Sequence, residues 1–401
     1  MFVALALFGL AALFLAAALH PFTTYPLSLM ALRRLWPEPL APEIVTPADR
    51  QETFAVCVCA YNEETVIRAK VENLLAMRKA LGGLEILVYV DAATDRTAAI
   101  LREYQDELTL LVSPERRGKT YGMNLLVRMA KADVVIFTDA NVIVDPQMIG
   151  NLKSYFADPS VGCVCGHLIY TNGDDNATAQ SGSLYWKLEE AIKQMESETG
   201  SAMGADGSLF AIRRRLHKPV PPDIIDDMFV SFNILLAGHR VVRAPDVLAF
   251  EQTTTSAGDE FRRKIRIACQ SFNIHRMLWP RLKRMPMLDV YKYVSHKLLR
   301  WLTIYNLALA GLFTIAGVAV LPHPLPAALA LGLGTATFVA GWAMKLKPMP
   351  QIVDILTAFL GTGIGVWRSL RGARFQTWTP AASVRVMPQV TPPVEKRRSQ
   401  G

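Results

Sequence analysis

Hydrophobic and polar positions follow two regimes along this chain. Residues 1–19 and 301–343 are almost continuously apolar, whereas the stretch between them alternates strand-length apolar runs with helix-length amphipathic ones. Phe54–Ala60 is a short apolar run closed by Tyr61-Asn62-Glu63-Glu64. With the helical pattern Val66–Leu81 it predicts a βα unit. Leu84–Val90 reads as a second strand ending on Asp91, and Asp91–Thr97 opens a helix with Asp95 as N-cap. Leu108–Val112 is a third strand. The basic turn Glu115–Lys119 follows, then a helix Tyr121–Lys131 carrying Asn124. Val134–Thr138 is a buried strand that places Asp139 and Asn141 at its carboxyl end. Beyond it come a strand Val161–Leu168, a helix Ser181–Glu198 and a glycine-bearing turn Gly204–Phe210. Asp226-Asp227 begin a helix Met228–Ala237 that Gly238 stops. A short strand Arg240–Arg243 and a basic helix Phe261–Arg276 complete the pattern. Strands alternating with helices predict an α/β fold with a parallel sheet and right-handed crossovers.

The apolar ends predict membrane segments. Met1–Leu19 is long enough to span a bilayer. No charge precedes it and Arg33–Arg34 follow, so it reads as a retained anchor (residues 1–20) with its C-terminal side in the cytoplasm. Residues 21–52 form an interfacial linker, residues 53–285 a cytosolic domain and residues 286–300 an amphipathic return segment. Trp301–Leu321 and Leu325–Ala343, joined by Pro322-His323-Pro324, predict a transmembrane hairpin over residues 301–344. Residues 350–369 are apolar but contain Asp354 and the Gly361–Gly365 patch between basic flanks. A re-entrant or interfacial helix is expected there ahead of a full span. Residues 380–401 are polar, basic and proline-bearing, which predicts a disordered tail.

Composition sharpens this. Of 401 residues 51% are hydrophobic and 19% charged, a balance that fits a multi-pass membrane protein. The net charge of +8 gathers beside apolar segments, which points to membrane lipids and away from nucleic acid. The cysteine pairs Cys57/Cys59 and Cys163/Cys165 fall at i,i+2 inside apolar strands. They read as small buried hydrophobes in preference to a zinc site, and reduced thiols fit a cytosolic domain.

Candidate chemistry lies where carboxylates end strands or begin helices: Asp91, Asp139, Asp206 and Asp227. In open α/β sheets such positions converge on the carboxyl edge, where ligands bind. A nucleoside diphosphate there needs an acceptor for its base or ribose, a cation for its phosphates and donors for negative charge. Asp91 suits the first, Asp139 with a metal the second, Arg117 and Lys119 part of the third. Asp227 is then the carboxylate left to deprotonate a hydroxyl. Plainer roles stand beside these. Asp139 and Asn141 can simply end a strand, Asp95 and Asp226 cap helices, Asp206 bond its own turn, and Arg117 and Lys119 be a solvated turn.

Taken together, these motifs resemble membrane-bound family 2 glycosyltransferases over about residues 54–300. The resemblance implies a GT-A fold with a Rossmann-like mixed sheet and transmembrane helices at both ends. Ala60-Tyr61-Asn62-Glu63 is similar to the strand-end motif lining the nucleotide site. Asp91–Thr97 resembles the Asp-rich second motif, which implies that Asp91 contacts the base, although Ala92-Ala93 replace a common Gly-Ser. Gly118-Lys119 with Asn124 resembles the segment near the donor phosphates. Asp139-Ala140-Asn141 occupies the DxD position, implying Mg²⁺ or Mn²⁺ held by Asp139 and Asn141. Its second carboxylate is an amide here, so metal binding leans on Asp139 and the diphosphate. Gly204, Asp206 and Gly207 resemble the acceptor-side turn. Asp226-Asp227 resemble the pair whose second member is the base, with Asp226 on the acceptor side. Processive members carry Gln-x-x-Arg-Trp. Here the stretch is Arg263-Lys264-Ile265-Arg266-Ile267, which keeps Arg266 as a diphosphate contact but lacks the Trp and tilts the expectation towards short products.

The resemblance implies an inverting, metal-assisted transferase that moves a sugar from a nucleotide-sugar, a UDP-sugar foremost, to a glycan or lipid-linked acceptor at the cytoplasmic face of the cell membrane. The membrane segments serve either as an exit path or as simple anchors. A membrane-tethered nucleotide-sugar sensor or partner subunit is the alternative.

Overall fold

The computed structural model describes residues 1–35, 52–171, 177–252 and 257–377, the side chains of residues 177–185 and 257 excepted. Residues 36–51 of the linker expected over residues 21–52, and the tail expected from residue 380, lie outside the described residues.

One eight-stranded sheet organises the centre, in the order β3-β2-β1-β4-β7-β6-β8-β5. Strands β1 (Phe54–Ala60), β2 (Glu85–Asp91), β3 (Thr109–Ser113) and β4 (Val134–Thr138) run parallel. β6 (Val161–Tyr170) and β8 (Arg240–Glu251) are parallel to each other. The short β5 (Ile143–Val144) and β7 (Leu209–Arg213) run against their neighbours, so the parallel sheet expected from alternation is a mixed one. Because β7 opposes both β4 and β6, the carboxyl ends of β1, β4, β6 and β8 share one edge.

Side-chain alternation builds two cores. Val56 and Val58 of β1 meet Leu74 and Met77 of α3 (Ile67–Leu81) on one face. Ala55 and Cys57 meet Leu126 of α5 (Lys119–Met129) on the other. Burying each such Val or Leu contributes roughly 1.5–3 kcal/mol. Cys57, Cys163 and Cys165 are buried members of these strands.

The predicted β8 stops at Arg243, but the strand continues to Glu251. Pro245 looks like a strand terminator because it cannot join a ladder. It is tolerated because the register with β6 slips at that point, between Cys165 and His167.

Around the sheet lie α4 (Thr97–Arg102), α6 (Met148–Phe156), α7 (Ala177–Glu198), α8 (Asp226–Leu235) and α9 (Ala257–Leu282). At the apolar ends are α1 (Phe2–Leu19), α2 (Thr24–Leu35), α10 (Met287–Tyr293), α11 (Leu299–Trp301), α12 (Thr303–Ala319), α13 (Pro324–Ala343) and α14 (Met349–Leu370). Three of the described helices are long and apolar enough to cross a membrane, or four if the segment Met287–Ala319, bent by 69°, is one span. By length and composition these helices suit a membrane. α1 packs on α12, with Phe14 stacked on Phe313 at 5.6 Å.

The return segment is more than amphipathic. A π-helical turn, Val294–Leu298, buries His296 between Glu196 (2.8 Å) and Glu189 (3.1 Å) of α7. Lys292 donates to the carbonyls of Glu196 and Thr199 at 3.0 and 2.8 Å. Removing one member of such a buried network costs about 3–5 kcal/mol, so these contacts tie the apolar helices firmly to the sheet domain.

α14 is a single unbroken helix lying along α9. A Cβ on Gly365 would come within 2.6 Å of Ala268 Cβ, so only glycine permits this approach. At its end Ser369 donates to Asn273 at 2.6 Å. The chain then follows α9, Gln270 donating to the Phe375 carbonyl at 2.8 Å and Gln376 to that of Arg117 at 3.3 Å.

Candidate functional site

The site forms where turns after β1, β2 and β4 meet the starts of α5 and α8. After β1, Tyr61-Asn62-Glu63-Glu64 and the turn after β2 are stitched together. Thr94 N–H donates to Asn62 Oδ1 at 2.8 Å, Glu63 N–H to Thr97 Oγ1 at 2.8 Å and Glu64 N–H to Asp95 at 3.0 Å. Asp95 sits one residue before the helix cap and also takes the Thr97 amide, at 2.9 Å. Asn62 and Ala92 have φ of +54° and +52°, conformations that L-residues reach only with strain. Glycine in place of Ala92 would take that conformation without strain.

Asp91 is buried, and its two oxygens accept the amides of Arg117 (2.7 Å) and Gly118 (2.9 Å). It shapes the basic turn. The Arg116 guanidinium caps the Tyr61 ring at 3.1 Å from its centroid. The turn delivers Lys119, whose ammonium lies 2.7 Å from Asp139 Oδ1 and 3.5 Å from Asp226 Oδ2. Burial would lower the lysine pKa, but Asp139 and Asp226 outweigh it and hold the group well above the ordinary lysine range.

Asp227 faces the same space. A Cβ on Gly207 would stand 3.0 Å from Asp227 Oδ2 and 3.9 Å from Lys119 Nζ, so the glycine turn touches both. Burial first, then the charges of Asp226 and Asp206, push the Asp227 carboxyl up to about 7, against the opposing pull of Lys119. Asp206 is itself engaged: its Oδ1 takes the Ser208 amide at 3.0 Å and its Oδ2 lies 3.7 Å from Lys193. Gly204 lies farther along, its added Cβ reaching Lys297 and Ser231 at 3.8 and 3.9 Å. Arg266, on α9, is near enough to feel Asp226, Asp139 and Asp227. Burial and Arg263 nevertheless push its pKa down to about 10.

The structure therefore gathers Lys119, Asp139, Asp226, Asp227, Gly207 and Arg266 around one space, with Asp91 and Ala60–Glu63 adjoining it through the basic turn. Asn124 stands apart. Its amide both donates to and accepts from the Val220 backbone, at 2.8 and 2.9 Å, and so braces the loop leading to α8.

Asn141 is occupied by a residue that the sequence pattern did not single out. Its Nδ2 donates to Glu251 Oε1 at 3.0 Å, while Ser208 Oγ donates to Glu251 Oε2 at 3.4 Å. Glu251 thus joins the β4 turn to the glycine turn. Burial raises its carboxyl to about 7; Arg263 opposes the rise and Asp139 adds to it. The apolar run Val247–Phe250 beyond Pro245 is the signal that would have extended β8 to it. Among the described residues no three His, Cys, Asp or Glu side chains are placed to hold a metal together. The half-exposed Asp139 is instead suited to a hard cation that takes one protein oxygen and fills its shell with phosphate and water.

Comparisons with known proteins agree with this architecture. The sequence model described as "Glycosyltransferase like family 2" matches residues 51–270. An N-acetylglucosaminyltransferase of Rhizobium sp. (strain N33) is 24% identical over 304 residues, covering 71% of this chain and 67% of the relative. A poly-beta-1,6-N-acetyl-D-glucosamine synthase of Staphylococcus aureus (strain COL) is 25% identical over 230 residues, 55% of each chain, so the match spans about half of that relative. In fold, the mannosyltransferase PcManGT from Pyrobaculum calidifontis, solved with GDP-Man and Mn²⁺, aligns with a TM-score of 0.69 at 22% identity. That alignment covers 91% of this chain and 99% of the other. The chain belongs to the glycosyltransferase family 2 and is a glycosyltransferase with a GT-A-like mixed sheet.

Proposed function

We propose that this protein transfers N-acetylglucosamine from UDP-N-acetylglucosamine, with inversion, to a hydroxyl of a glycan or lipid-linked acceptor at the cytoplasmic face of the membrane. The carrying observation is the meeting of Lys119, Asp139 and Asp227 in one space beside the glycine turn. The sugar follows the relatives, an N-acetylglucosaminyltransferase and a poly-beta-1,6-N-acetyl-D-glucosamine synthase.

In this reading Asp227 takes the proton of the attacking hydroxyl, and its carboxyl at about 7 suits that exchange near neutral pH. The acceptor oxygen bonds to the anomeric carbon as the bond to the nucleoside diphosphate breaks, so a single displacement inverts that centre without an enzyme nucleophile. Lys119 and Arg266 receive the negative charge that grows on the leaving group. Asp139 would hold Mg²⁺ or Mn²⁺, which when bound supplies further charge neutralisation to the diphosphate. Asp91 keeps the basic turn in place beside the nucleotide, and Ala60–Glu63 line its base. Asp206 and Gly204 border the acceptor side.

Arg33–Arg34 after α1 and Lys345/Lys347 after α13 support a cytoplasmic sheet domain. Contact of α14 with α9, and of residues 375–376 with the sheet domain, supports an interfacial α14 over a spanning one.

The test is incorporation of labelled sugar from UDP-N-acetylglucosamine by purified protein with Mn²⁺. Transfer that vanishes in Asp139→Ala supports the reading. Donor binding without any transfer or hydrolysis would instead support a tethered sensor.

A further inference from the structure

A cavity of about 280 Å³ lies between the end of β6 and α7. It is too small for a nucleotide-sugar, lying below the roughly 300–1,000 Å³ of pockets that hold whole ligands. We propose that this cavity is an acceptor subsite that packs one sugar ring of a glycan against Tyr170 and Trp186. The proposal rests on the glycosyl-transfer reading above.

Three observations support it. First, the cavity presents an aromatic pair: Tyr170 and Trp186 meet edge to face, 5.6 Å between centroids at 65°. The C–H face of a pyranose packs well on such rings, and the indole is held in place because Nε1–H donates to the Leu168 carbonyl at 3.0 Å.

Second, the polar rim suits hydroxyl groups. His167 Nδ1 lies 3.2 Å from the Pro245 carbonyl, which only accepts, so Nδ1 carries the hydrogen. Burial and Arg243 lower the His167 pKa, so the ring is neutral near pH 7 and Nε2 is left as an acceptor for a sugar hydroxyl. Lys187 is exposed at the rim and supplies a donor.

Third, the cavity adjoins the reaction space. Lys193 Nζ is 4.7 Å from the Trp186 ring centroid and 3.7 Å from Asp206 Oδ2, so one side chain touches both. Tyr170 is the register partner of Glu251, which receives the Asn141 amide. The subsite would place a ring in this cavity next to a terminal sugar presented to Asp227.

The experiment measures transfer by full-length protein in detergent from UDP-N-acetylglucosamine to N-acetylglucosamine oligosaccharides, from the monosaccharide upward. Donor Kd is measured on every preparation. Trp186→Leu keeps apolar bulk and loses the ring, and Trp186→Phe restores an aromatic face. The expected result is an acceptor KM raised about ten-fold in Trp186→Leu for the longer acceptors, with donor Kd kept and Trp186→Phe close to wild type. Tyr170→Leu shifts KM in the same direction. Unchanged acceptor KM in both leucine variants, with transfer intact, overturns the subsite and leaves the transferase reading standing. Wild-type turnover that no oligosaccharide stimulates also overturns a glycan subsite. Wild-type protein that neither transfers nor hydrolyses the donor overturns the parent reading, and the subsite with it.

Discussion

The ammonium of Lys119 stands 2.7 Å from Asp139 Oδ1. The same lysine reaches Asp226, so the carboxylate expected to meet a metal is partly neutralised by the cation expected to meet the diphosphate. Cation and lysine compete for Asp139, and a donor resolves the competition by drawing Lys119 to its phosphates. Lys119→Met should therefore strengthen Mn²⁺ binding in the absence of donor and still lower kcat, by about 10²–10³-fold. Manganese titration by electron paramagnetic resonance and steady-state turnover check the two signs separately.

The raised carboxyl of Asp227 predicts a pH profile. A base must be unprotonated, so kcat should climb with pH and level off above about 7. Asp227→Asn should lose about 10²–10⁴-fold in kcat at pH 8 and keep its donor Kd. Undiminished turnover in that variant would assign the base elsewhere.

Glu251 carries a stability consequence. Its folded pKa, about 7, lies above the ordinary glutamate value of 4.5. The folded protein thus holds this proton more tightly than the unfolded chain. The resulting stability is full below the unfolded value and is lost as pH rises through about 7. Glu251→Gln should flatten that decline in thermal unfolding curves taken between pH 5 and 8 (~ the window set by the linkage relation). Its carbonyl oxygen can still accept from Asn141, while an NH₂ replaces the oxygen that takes the Ser208 hydroxyl, which should lower transfer.

Lys70 of α3 is fully buried behind the β4 turn. It donates to Thr138 Oγ1 at 3.0 Å and to the Val142 carbonyl at 2.7 Å, clasping both ends of the segment bearing Asp139 and Asn141. Burial lowers its pKa to about 7. Lys70→Met removes a buried charge at little cost in volume, so the melting temperature at pH 6 should hold or rise. Activity should nevertheless fall about 10–100-fold, because the turn loses its brace. A parallel loss of stability and activity would mean that the lysine serves the core alone.

Sequence pattern by itself determined the strands β1 to β4, the apolar helices and the residue types at strand ends. These depend on local periodicity and on turn chemistry that short stretches of chain express. It singled out Lys119, Asp139, Asp206 and Asp227 as candidates for the same reason: each sits at a boundary between an apolar run and a polar turn. Tertiary structure alone decided that β7 runs antiparallel, because strand direction depends on how the chain returns across a sheet. It decided that β8 passes through Pro245 to bring Glu251 to Asn141, since only a slipped register against β6 tolerates that proline. It turned Asn124 towards the Val220 backbone, and it set Trp186 beside Tyr170 from an element distant in sequence. Contacts of that kind have no periodicity to read, because they arise where separate elements pack.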